Sequence, residues 1–223
     1  MPPIAGVVQG AMVLRDAVFP ELTINHWQEV TKPKIEGSIH LDQIFDDPSL
    51  DFFVFISSVA YLAGNAGQGV YSAANAFMTS LAAQRRSRGL AASVIHLGAV
   101  VGVGYITREL TPEKQRALHQ AGYSFLSEQD FHEIFAEGVL ASLPDSGDVF
   151  EISTGLRLEN TVKDSPAKWA RNPMFHHLVT RSDKHTGLGT DRSSVSIKSR
   201  LSAATTGEQQ FEILKGKSLE ISR

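Results

Sequence analysis

The 223-residue sequence contains no cysteine. That excludes disulfides and thiolate chemistry and suits a reducing compartment such as the cytoplasm. No apolar run approaches the roughly 20 residues of a transmembrane helix. The opening stretch MPPIAGVVQGAMVL has no basic segment of the kind that starts a secretory signal. Charge of either sign is scarce in excess: 21 Lys and Arg face 24 Asp and Glu, a formal net charge of −3. Neither nucleic acid nor an anionic membrane is therefore expected as a partner. No Gly-x-Ser-x-Gly elbow surrounds Ser57 or Ser58, which leaves hydrolase chemistry there without support. His119, His132 and the pair His176 and His177 lack metal-ligand spacing, so no metal is expected. No strand–turn–helix unit carries a Gly-x-Gly-x-x-Gly turn either. The glycines at 64, 67 and 69 and at 98, 102 and 104 follow the wrong strands and have the wrong spacing.

What is present is an alternation of apolar runs and helical patterns. Residues 4–8, 52–56, 90–97 and 148–153 read as short strands, and the unbroken apolar run 52–56 should be covered on both faces. Residues 25–45 are helical in pattern, with Trp27 and Val30 marking one face and Ile35, Ile39 and Ile44 extending it less regularly. Pro33 is expected to open a new helical segment there, capped by Thr31. A helix over 69–88 puts Val70, Ala74, Phe77 and Leu81 on one face and Tyr71, Asn75 and Ala82 on another. Arg85, Arg86 and Arg88 crowd its last turn, and Gly89 suits the position just beyond it. Residues 100–122, with Gly102, Gly104 and Pro112, suit a mobile lid. Ser127 starts a further helix running to about residue 143. The alternation predicts an α/β domain with a mostly parallel sheet over residues 1–180. The Ser-, Thr-, Lys- and Gly-rich segment 181–223 is expected to be a disordered linker.

The chemistry concentrates between residues 51 and 89. Ser57 and Ser58 end a strand, Tyr71 opens a helix, and Asn75 follows four residues later on the same helix face. A phenol has a reference pKa near 10, so it serves as an acid at neutral pH only with help from a neighbouring cation. Lys34 is the cation on offer. Ser58 can hydrogen-bond a carbonyl oxygen as charge develops on it. Taken singly, each residue has a plainer role: a packing tyrosine, a turn serine, a solvated asparagine, a surface lysine. The spacing is more telling, for Ser58 lies 13 residues before Tyr71 and Lys34 lies 37 before it.

Here the sequence resembles the ketoreductase domain of polyketide synthases, a branch of the short-chain dehydrogenase/reductase superfamily. In most of that superfamily a lysine follows the tyrosine by four residues. In the polyketide branch an asparagine takes that place and an earlier helix supplies the lysine. Tyr71-Ser72-Ala73-Ala74-Asn75, with Lys34 in Pro33-Lys34-Ile35-Glu36-Gly37, fits the polyketide arrangement. The segment from Gly6 to Asp16, the Gly102-Val103-Gly104-Tyr105 turn and the Leu126-Ser127-Glu128 helix start resemble highly reducing fungal members.

The resemblance implies a Rossmann-like three-layer fold with a parallel sheet. It implies NADPH as hydride donor and a β-ketoacyl substrate on the phosphopantetheine arm of an acyl carrier domain, among other synthase domains. Tyr71 would donate the proton, Ser58 polarise the carbonyl, Asn75 support the relay, and Lys34 lower the tyrosine pKa and hold the nicotinamide ribose alongside Tyr71. Asp16, with Arg15 in the middle position of its loop motif, and Gln68 would bear on substrate entry and stereocontrol. The family's first βαβ unit, with its Gly-rich phosphate turn, has no counterpart here. The expectation is accordingly a C-terminal fragment of a ketoreductase, inactive by itself. The competing expectations are a non-catalytic interaction remnant and a half-reductase completed by another chain.

Overall fold

The computed structural model describes residues 2–109, 111–144, 146, 149–159 and 165–179. The expected linker, 181–223, lies outside the described residues. The main sheet is built from β1 (Gly6–Gln9), β2 (Phe52–Ser58), β3 (Ser93–Leu97) and β6 (Glu151–Ser153), in the order β1-β2-β3-β6 with every pairing parallel. A second, two-stranded ladder joins β4 (Ala99–Val100) to β5 (Phe125–Leu126). Phe53, Val54, Phe55, Val94 and Ile95 are fully buried, as the continuous apolar runs require of strands covered on both faces. The first apolar run, in contrast, forms an edge strand among the described residues: β1 pairs there with β2 alone, and Val8 is 45 % exposed.

Two helical layers sandwich this sheet. The helix α4 (Gly69–Ser87) sets Met78, Leu81 and Ala82 against Phe53, Phe55 and Val94. On the other face, α7 (Glu128–Ala141) comes so close that a Cβ on Gly138 would lie 2.6 Å from Ile95 Cδ1. Ser127 caps α7 in a reciprocal pair with Asp130, and Gly89 ends α4 with φ of 73°, both as the sequence suggests.

Three features depart from expectation. First, Pro33 starts no new helix. α1 (Ile24–Thr31) runs through a π-helical turn, Lys32–Glu36, directly into α2 (Gly37–Ile44). Thr31 does not cap anything; its hydroxyl donates to Trp27 O at 2.8 Å. The widened turn absorbs the missing proline N–H without breaking the helix. Second, β2 leads straight into a short helix, α3 (Val59–Ala63), with Ser58 as its N-cap. Third, Arg85, in the crowded last turn of α4, turns inward. It is fully buried, pairs with Asp42 at 2.6 Å, and donates to Phe45 O and Ala91 O.

Residues 100–122 form α5 (Gly104–Glu109) and α6 (Pro112–Gln120). Beyond α6, Trp169 donates its indole N–H to Ala121 O at 3.1 Å and meets Phe175 edge-on. This small cluster, with Ala167 and Ala170, anchors the end of the 100–122 segment to the body of the domain.

Candidate active site

The C-terminal ends of β2 and β3, the N-terminus of α4 and the segment before α6 enclose a cleft of about 950 Å³. Lys34, Ser58, Tyr71, Asp16 and Gln68 all line it, so five of the six residues expected from sequence converge on one space. The sixth, Asn75, sits behind Tyr71 and is fully buried.

Each side chain has a local reason for its position. Tyr71 is the third residue of α4, where it is 8 % exposed. Its phenol donates to Met12 Sδ at 3.5 Å. Burial pushes the phenol pKa above its usual value, and the Asp16 carboxylate adds to that; the nearby Asn75 and Ser58 side chains pull the other way. Asn75 Nδ2 donates to Tyr71 O at 2.8 Å, as the four-residue spacing allows, while its Oδ1 is buried without a partner.

Lys34 reaches the site because of the π-helical turn. It is 2 % exposed, its Nζ donates to Ile56 O at 2.9 Å, and Nζ stands 5.4 Å from the Tyr71 ring centroid. Burial lowers its pKa to about 8. The turn is pinned from β1: Gln9 Nε2 donates to Pro33 O at 2.9 Å, and Ser38, one turn beyond Lys34, donates its hydroxyl to Lys34 O. The ammonium lies over the ring face and spends a hydrogen bond on Ile56. Burial is the largest influence on Tyr71, and its phenol pKa moves up.

Ser58 holds both jobs open to a strand-end serine. Its Oγ accepts from Ala60 N at 3.2 Å, capping α3, and it faces the phenol of Tyr71. Asp16 and Gln68 meet at the rim, where Gln68 Nε2 lies 3.2 and 3.1 Å from the two Asp16 oxygens. Asn65 donates to Gln68 Oε1, and Ala17 N donates to Gly67 O. These bonds clasp the loop after β1 to the turn before α4. Arg15 is engaged elsewhere, with Glu29.

Residues 1–102 match the family model described as the KR domain. Over 216 residues, 96 % of this chain, the sequence is 49 % identical to the polyketide synthase-nonribosomal peptide synthetase phmA of Phaeosphaeria nodorum and 47 % identical to its counterpart ffsA of Aspergillus flavipes. The chain belongs to the ketoreductase domain family of polyketide synthases. Among solved structures, an A-type ketoreductase from a modular polyketide synthase superposes with a TM-score of 0.61 at 30 % identity. That match covers 69 % of this chain and 31 % of that one. The chain spans about 5 % of the length of these two curated relatives. Its fold is therefore the Rossmann-like α/β fold of that family.

Sequence reasoning missed two groups around the site. Met12 gave no signal, being one apolar residue in a loop. Ser57, His96 and Glu151 form a polar chain beside the cleft, buried at Ser57 and His96, whose members are scattered over nearly 100 residues of sequence. Among the described residues no cluster of three or more His, Cys, Asp or Glu is arranged to hold a metal ion.

Proposed function

We propose that this chain carries the proton-delivery half of an NADPH-dependent β-ketoacyl reductase. The substrate is a β-ketoacyl thioester on the phosphopantetheine arm of an acyl carrier domain, and the product is the β-hydroxyacyl thioester. The observation that supports this reading most directly is the convergence of Lys34, Ser58 and Tyr71 on one cleft. Ser58 donates to the carbonyl oxygen, and Tyr71 gives that oxygen its proton, exchanging its weak thioether acceptor for the substrate. Asn75 braces the first turns of α4 and keeps a buried acceptor at the rear of Tyr71. Asp16 and Gln68 form the rim past which the acyl chain enters. The relatives are multidomain synthases, which supports other synthase domains as partners.

The residues present fit only part of the cofactor. Lys34, buried with an ammonium beside the Tyr71 ring, suits ribose hydroxyls on the nicotinamide side. When bound, NADPH supplies the hydride that reaches the carbonyl carbon. The sequence has no Gly-x-Gly-x-x-Gly turn to cradle the pyrophosphate, so the chain by itself is expected to bind NADPH weakly and to reduce little. Fluorescence titration of NADPH against the chain tests this. Micromolar binding with turnover of a β-ketoacyl thioester would overturn the weak-binding part of the proposal.

One observation favours completion by another segment or chain. β1 is an edge strand, with Val8 45 % and Ile4 60 % exposed beside it, which leaves backbone and apolar surface for a further strand. No helix among the described residues is long and apolar enough to cross a membrane. A cytoplasmic setting belongs to the same proposal.

A further inference from the structure

Ser57 and His96 stand opposite each other in the β2–β3 register, and both are buried. His96 Nδ1 lies 3.1 Å from Ser57 Oγ, and His96 Nε2 lies 3.1 Å from Glu151 Oε2 on β6. Tyr61 of α3 tilts its ring against the imidazole with centroids 5.5 Å apart. An ionised carboxylate only accepts hydrogen bonds. Glu151 therefore selects the tautomer with the proton on Nε2, and Nδ1 is left to accept the Ser57 hydroxyl proton. The polar chain thus crosses three strands, running from the half-exposed Glu151 at the start of β6 to His96 and Ser57 near the C-terminal ends of β3 and β2, the serine lying at the floor of the cleft.

None of these three groups takes part in the reduction chemistry above. Valine or isoleucine would fill the same strand positions without the cost of burying polar atoms. The location of the chain is informative. Ser57 stands between Ile56, whose carbonyl receives Lys34 Nζ, and Ser58, whose hydroxyl faces Tyr71. Strand side chains alternate in direction, so the Ser57 hydroxyl is free to anchor the strand from behind while its neighbours serve the cleft. The next strand end is pinned in a similar way: Thr154 N donates to His96 O, and Gly98 N donates to Thr154 Oγ1.

We infer that His96, oriented by Glu151, is a positioning residue of the reductase site: it grips Ser57 and thereby sets the end of β2 that presents Ile56 to Lys34 and Ser58 to Tyr71. The roles of Lys34, Ser58 and Tyr71 rest on the ketoreductase proposal, but the test below needs neither NADPH nor turnover.

Imidazole ¹⁵N NMR on the full chain, with His96→Gln to assign the resonances, reads the tautomer directly, and a proton on Nε2 is expected. Lys34 is then titrated by NMR on labelled lysine. In Ser57→Ala and Glu151→Ala the end of β2 loosens, water reaches the ammonium, and the Lys34 midpoint rises from about 8 by about half a pH unit or more. That corresponds to roughly a threefold change in the ratio of neutral to charged lysine. Ser57→Thr keeps the hydroxyl and restores the wild-type midpoint. Glu151 is 38 % exposed, so its variant carries the test if Ser57→Ala fails to fold. A proton on Nδ1, or an unmoved Lys34 midpoint in folded Glu151→Ala, overturns the inference. If the wild-type chain shows the expected midpoints yet reduces no ketone when supplied with a nucleotide-binding half, the ketoreductase proposal fails and the positioning inference stands.

Discussion

Replacing Lys34 by methionine should make the chain more stable and disable its site at the same stroke. The ammonium is 2 % exposed and has one hydrogen bond, to Ile56 O at 2.9 Å. Burial lowers its pKa from 10.5 to about 8. Holding the charge at pH 7 therefore costs about 3 kcal/mol, at about 1.4 kcal/mol per pH unit. Methionine has a similar length, stays neutral and removes that cost, but it leaves one lone pair of Ile56 O unused, which takes back about 1–2 kcal/mol. The net expectation is a gain of about 1–2 kcal/mol at pH 7, read as a higher urea midpoint at unchanged slope. The pH dependence separates this from generic repacking. Between pH 8 and 10.5 the unfolded chain binds a proton at Lys34 that the folded chain has released, so wild-type stability rises with pH across that window. Lys34→Met lacks this term, so its advantage shrinks from pH 8 upward and is gone by pH 10.5. Parallel urea titrations at pH 7, 8, 9 and 10.5 measure the difference, and titrating groups remote from Lys34 cancel between the two proteins. Identical pH slopes for wild type and variant would refute the claim that Lys34 is held charged at a cost.

The remaining predictions concern the site and its frame. Tyr71→Phe removes the proton donor and a weak bond to Met12. It should leave thermal stability within about 1 kcal/mol and abolish reduction in a complete reductase carrying these residues; retention of most turnover would reassign the acid. Asp42→Ala leaves the buried Arg85 guanidinium without its carboxylate and should cost about 3 kcal/mol or more in urea unfolding. A loss under 1 kcal/mol would mean the pair is solvated. Gly155 has φ of 76°, and a Cβ there would lie 2.5 Å from Gly98 Cα. Gly155→Ala should therefore cost about 2 kcal/mol or more, seen as a drop in melting temperature. Burial lowers the His96 pKa below 6.5, with Glu151 pulling it partly back. Below pH 6.5 the unfolded chain takes up a proton that folded His96 resists, so stability falls as pH drops. Among its neighbours Glu151 is the charged group, and His96→Phe should flatten this acid limb in urea titrations between pH 7 and 5.

Short-range patterns carried the frame of this protein. The apolar runs of β2 and β3, the helix of α4 with Gly89 behind it, and the Ser127 cap of α7 are each decided by residues within a turn or a strand of one another, where propensity and periodicity act directly. Spacing also carried the site, because Ser58, Tyr71 and Asn75 lie on one strand–helix unit whose geometry fixes their separation. The depth of each group could not be seen in this way. Pro33 looked like a helix start, and only the packing of α1 and the widened turn against α4, with Gln9 of β1 holding Pro33 O, made a continuous helix preferable. The sequence did not separate Arg85 from Arg86 and Arg88, and only the meeting of α2, α4 and the segment before β3 supplied Asp42, Phe45 O and Ala91 O to bury it. The sequence by itself determined which residues could do the chemistry. Tertiary structure decided their electrostatics, since desolvation of Lys34 and Tyr71 and the Ser57–His96–Glu151 chain depend on groups brought together from distant parts of the sequence, and burial is a property of that assembly and not of any local segment.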